Sequence, residues 1–104
     1  MARLYISEYG TIAALPATAN GQVPFEPPIR EQVIDFTGGV ATSQPFQQYT
    51  RMIRLNCDAT CSILIGPAGS TSASTSNGRW ATNQTEFRGV PEGQGFVVSV
   101  IGNV

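Results

Sequence analysis

Gly95-Phe-Val-Val-Ser-Val-Ile-Gly102 is the stretch whose reading decides the fold. Val97, Val98, Val100 and Ile101 are β-branched and suit a pleated surface. Alternation puts Phe96, Val98 and Val100 on one side and Val97, Ser99 and Ile101 on the other. Both sides are largely apolar, so this strand is expected at the centre of a sheet and covered on both faces.

Upstream, Tyr49-Thr-Arg-Met-Ile-Arg-Leu-Asn56 sets Ile53 and Leu55 on one face and Met52 and Arg54 on the other. Thr60-Cys-Ser-Ile-Leu-Ile-Gly66 does the same with Cys61, Ile63 and Ile65. The short polar link Cys57-Asp-Ala-Thr60 between them reads as a tight hairpin. Arg79–Thr82 and Gln84–Arg88 are shorter strands, Arg3–Ser7 a first strand and Glu31–Phe36 a second. Gly89-Val-Pro-Glu-Gly-Gln-Gly95 is a turn, Pro91 presetting φ and Gly93 supplying φ > 0. No window of ten or more residues keeps a helical period. Short strands about ten residues apart with turn signals between them predict an all-β, antiparallel β-sandwich, jelly-roll-like.

Two segments stand outside this pattern. Leu15–Pro28 holds four prolines, which fix φ and lack an N–H, so it cannot join a central ladder and is expected to run extended. The division that follows is an N-terminal strand and Pro-rich arm over 1–31 and a sandwich over 32–104, one domain in all. Gly66–Gly78 is rich in Ser, Thr, Ala and Gly, and its side chains are too small and polar to bury, so an exposed, mobile loop is expected.

The chain has 104 residues, 41% hydrophobic, 12% charged, with net charge −1. That length can hide about two-thirds of its unfolded surface in a single core without metal or disulfide staples. No basic stripe offers nucleic acid an electrostatic footing, and no apolar run approaches the roughly 18 residues of a membrane helix. The opening Met1–Glu8 is too short in apolar residues for a signal peptide.

There is no histidine and no lysine. The usual general base, the commonest metal ligand and the Schiff-base amine are therefore missing, and the chain is not expected to be an enzyme. All six cations are arginines, the residue that interfaces favour because guanidinium is weakly hydrated and bonds in planar forks. Codon bias in a GC-rich genome gives the same substitution, and both explanations stand.

Cys57 and Cys61 lack the further donors that zinc needs, so no metal and no cofactor are expected. A hairpin would bring them near enough for a disulfide, but a cytosolic origin favours free, partly buried thiols. Asp58, Glu86 and Glu92 lie nearest the turns, yet paired carboxylates acting on sugars need a cleft with aromatic platforms. Trp80, the only tryptophan, is read as core or interface packing ahead of a sugar-stacking platform.

The run Arg79–Ile101, preceded by Cys61-Ser-Ile-Leu-Ile-Gly66, resembles small proteins of about 100 residues encoded near the head genes of tailed bacteriophages. The opening Met1–Tyr9 and the arm Phe25–Val33 extend that resemblance over most of the chain. It implies a virion structural protein, a decoration (cement) protein on the outer capsid, assembled in the host cytoplasm. The implied partners are the major capsid protein and the chain itself, as a homo-oligomer with the trimer favoured, with no nucleic acid and no membrane. Residues expected at such contacts are Arg3, Phe25, Arg30, Arg54, Arg79, Trp80 and Arg88. The alternatives are a carbohydrate- or host-surface-binding module using Trp80, Tyr49 and the Ser/Thr loop, and a neck- or tail-associated virion protein.

Overall fold

A computed structural model describes residues 2–10, 12–14, 22–24 and 27–103, with 12–14 and 22–24 described as backbone. The chain is all-β, and no described residue is helical. Its strands are β1 (Arg3–Tyr9), β2 (Ile12–Ala14), β3 (Gln22–Pro24), β4 (Arg30–Asp35), β5 (Ala41–Thr42), β6 (Met52–Cys57), β7 (Cys61–Pro67), β8 (Arg79–Trp80), β9 (Thr85–Gly89) and β10 (Phe96–Gly102).

Two four-stranded antiparallel sheets form, in the orders β4-β1-β6-β9 and β5-β10-β7-β8. They share one core, to which the first sheet contributes Leu4, Ile6, Ile53, Leu55 and Cys57 and the second Cys61, Ile63, Trp80, Val98 and Val100. Phe36, Phe46 and Val90 fill in from the connections. This is sandwich-like packing, and it follows from alternation: each contributing strand turns every second residue inward, and the inward set is apolar. β10 lies between β5 and β7 with Val97 and Ser99 buried on its outer side, so the two-sided cover expected from its sequence is present.

The link Cys57–Thr60 is not a hairpin. β6 pairs with β1 and β9 while β7 pairs with β10 and β8, so these residues carry the chain from one sheet to the other. A three- or four-residue link suits either role, and the long-range partners decide between them. Gly89–Gly95 makes a second such crossing, from β9 to β10, with Gly93 at φ +74° as the turn requires.

The Ser/Thr-rich loop is mostly exposed, as expected, but it is anchored. It folds back over the outer face of the second sheet: the Ala73 N–H donates to Ser99 Oγ at 2.8 Å, and Ala73 is buried. Asn103 Nδ2 ties the loop down by donating to Thr75 O at 3.2 Å and to Ser62 Oγ at 2.8 Å. Small side chains bury little area themselves but let backbone come close. At Gly66 a Cβ would sit 2.5 Å from Thr71 Oγ1, so a larger residue there must displace that hydroxyl from Pro67 O.

Within the N-terminal segment, β1 lies between β4 and β6 in the first sheet, while β2 and β3 pair only with each other. Glu8 faces Arg30 across the β1–β4 ladder, and Ile29 N–H donates to Glu8 O at 2.7 Å. The chain therefore leaves the sheet after β1 and returns beside its point of departure.

Candidate functional site

The outer face of the first sheet is open at its Tyr5 end, whereas Ser7 and Tyr9, on the same side of β1, are buried. The register places Val33 opposite Tyr5 across β4–β1, Ser7 opposite Arg54 across β1–β6, and Arg54 opposite Phe87 across β6–β9. Leu4, Ile6 and Glu8 point inward, so their neighbours Arg3, Tyr5 and Ser7 point outward with this set. Val33 is 55%, Phe87 49% and Tyr5 38% exposed, and Arg54 and Met52 are half-buried among them. Aromatic and aliphatic groups around an arginine are the composition of protein contact surfaces.

Of the residues expected at contacts, Arg3 and Arg54 fall on this face, and Phe25 lies outside the described residues. Arg79 is exposed beyond the second sheet's edge, where its Nε donates to Asn103 O at 3.2 Å. Trp80 is 5% exposed and sits in the core, with the Arg88 guanidinium 5.6 Å from its ring centroid. That geometry is cation–π packing at the sheet edge and leaves no open ring face for a sugar. Arg88 also pairs with Glu86.

Arg30 turns inward to a group that sequence reading missed. Glu8 is fully buried, and four described donors meet its carboxylate. Oε2 accepts from Arg30 Nε at 2.8 Å and Gln32 Nε2 at 3.0 Å; Oε1 accepts from the Gln47 N–H and Thr50 Oγ1, both at 2.8 Å. Arg30 also donates to Pro45 O at 2.6 Å. The segment that reaches Glu8 is hydrogen-bonded on its other side to β10, Ser43 with Val98 and Phe46 N–H with Phe96 O, so the carboxylate closes one end between the sheets. A buried charge this well satisfied is a structural seam, since both oxygens are occupied. The signal was available: Leu4, Ile6 and Glu8 share one strand face.

Among the described residues, the remaining carboxylates do not converge on a common site. Asp58 Oδ1 accepts the Arg3 N–H at 2.6 Å, Glu92 pairs with Arg51 at 3.1 Å, and Glu86 holds Arg88 and Gln84. Hydrogen bonds from the Thr37 hydroxyl and backbone N–H hold the Asp35 carboxyl below its ordinary range. Among the described residues, no three His, Cys, Asp or Glu side chains stand together as a metal site.

Cys57 and Cys61 are free and fully buried rather than partly so, at the sheet-to-sheet crossing. Burial first, then the nearby Cys57 thiol, pushes Cys61 up to about 12, so it stays a neutral thiol. Cys57 Sγ donates to Ala81 O at 3.1 Å.

No family model matches this chain, and no curated protein or solved structure matches it either.

Proposed function

We propose that this chain is a structural protein of a tailed-bacteriophage virion that decorates the outer capsid and bridges neighbouring capsid subunits. The observation that carries the reading is the open part of the first sheet's outer face, with Tyr5, Val33 and Phe87 exposed around Arg54. Exposed aromatic and aliphatic side chains set among Arg3, Arg54, Glu31 and Asp35 are stabilised by contact with another protein surface. Arginine without lysine suits that contact, because guanidinium loses less hydration on docking.

The strand order supports the finer reading as a jelly roll, an architecture that recurs in viral capsids. Counted from β4, the first sheet runs first, last, third, sixth and the second runs second, seventh, fourth, fifth, with β1 taking the place of the last strand. Ala2, Gly102 and Asn103 line a common hollow of about 370 Å³, so β1 begins close to where β10 finishes. That proximity is what a jelly roll with its final strand moved to the front requires.

The test is reconstitution on capsids of the parent phage assembled without this protein. Deleting residues 1–28 is unsuitable, since it removes a strand from inside the first sheet. Wild type and a Tyr5→Ser/Phe87→Ser double variant are instead compared by co-sedimentation. Wild type is expected to pellet with the shells, and the variant to lose at least tenfold in apparent affinity. Failure of wild type to bind, or equal binding by both, overturns the proposal.

A further inference from the structure

We infer that the edge of β7 over Leu64–Pro67 accepts a strand from a second copy of this chain, and that β2 of that copy is the strand. The first observation is an edge left open. β8 covers only Cys61 and Ser62 of β7, one further backbone bond joins Ile63 N–H to Gly78 O at 3.2 Å, and past it no described strand lies against β7 on that side. In this register the N–H and C=O of Ile65 point the same way as those of Ile63, toward the vacant side.

Sheet edges are normally protected by lysine, other charges, bulges or a cover. Leu64-Ile65-Gly66 carries no charge, and a cavity of about 310 Å³ opens beside it, lined by Ile63, Leu64, Ile65, Gly78, Trp80 and Arg88. It has room for one large apolar side chain. The chemistry on offer is that of strand addition: main-chain hydrogen bonds for affinity and a pocket for alternate side chains.

The second observation identifies the occupant. β2 and β3 form a two-stranded ladder paired with neither sheet, and a lone two-stranded ladder is marginal in water. β3 ends in Pro24, which has no N–H to give; β2, Ile12-Ala13-Ala14, has every N–H and no charge, matching the uncharged edge it would join. Glu26 is the only charged residue from 11 to 29, whereas Arg79 and Arg88 flank the open edge, so charge also favours this pairing over one between two edges. Donor and acceptor are different surfaces of one chain, so the contact is head-to-tail and propagates into rings or arrays. It uses neither Tyr5, Val33 nor Phe87, so this inference and the capsid reading can fail separately.

The experiment is complementation by sedimentation velocity. Replacing residues 11–28 by an Asn-Gly turn removes the donor but keeps the β1–β4 ladder, whose strands already meet at Glu8 and Arg30. Leu64→Lys charges the acceptor edge. Wild type is expected to self-associate with rising concentration and each variant to weaken that at least tenfold. The two variants mixed should form a one-to-one complex, with amide exchange at Ile65 of the turn variant slowed at least tenfold. If Leu64→Lys fails to fold, a synthetic peptide of residues 10–28 added to the turn variant replaces it, with the same Ile65 readout. A wild type that stays monomeric at millimolar concentration, variants that associate as wild type does, or an Ile65 amide unchanged by mixing or by the peptide overturns the inference.

Discussion

The outer faces of the two sheets are built from the same pleat and treated in opposite ways. On the second sheet, residues 67–78 fold over Val97, Ser99 and Ser62, and these are buried although they point away from the core. On the first, Tyr5, Val33 and Phe87 stand in the open. The covered face includes the Ser62 and Ser99 hydroxyls, which the loop and Asn103 can approach and bond; the open one carries bulky side chains with Arg3 and Arg54. The open face thus mixes large apolar groups with the charges of Arg3, Glu31, Asp35 and Arg54, and the proposed function rests on that contrast.

The largest break in that contrast comes from the seam common to both sheets. Glu8→Ala leaves Arg30, Gln32, Thr50 and the Gln47 N–H without their acceptor, and about 3 kcal/mol of stability should be lost in urea titration. Next is the cover itself. Gly66→Val drives a side chain into Thr71, and about 2 kcal/mol is expected, together with faster amide exchange at Ala73.

The crossing between the sheets sets a pH limit. The folded Cys61 thiol titrates above its ordinary value, so its contribution is whole below pH 9.0 and is lost as pH rises toward about 12. Across that window the unfolded chain releases a proton that the folded chain keeps, so stability should fall steadily as pH rises. Cys61→Ser should flatten the alkaline limb of a melting-temperature profile. The smallest effect belongs to the open face: Val33→Thr should change stability by less than about 0.5 kcal/mol, because its side chain has no cover to lose.

What sequence made legible was local. Alternation placed Ile53 and Leu55, Cys61, Ile63 and Ile65, and Val98 and Val100 on inward faces, and all lie on the core side. It could not say which sheet each strand joins, since Cys57–Thr60 is equally short as a hairpin or as a crossing, and pairing over long separations chooses. The same limit hid the open face: Val33, Tyr5 and Phe87 become one surface only through the order β4-β1-β6-β9. The Ser/Thr loop was legible in its exposure but not in its anchoring, because side-chain area says nothing of a backbone bond to Ser99. Glu8 could have been found, as a carboxylate in step with Leu4 and Ile6, but its four donors come from residues 22 to 42 positions away.

The closeness of Ala2 to Asn103 makes the polypeptide re-cuttable. A permuted gene that opens at residue 29, spans from Asn103 to Ala2 by a short glycine bridge and stops at Gly10 would keep the partners of both four-stranded sheets. Its product should regain the same circular-dichroism spectrum, with the spatial order of strands indifferent to where translation starts.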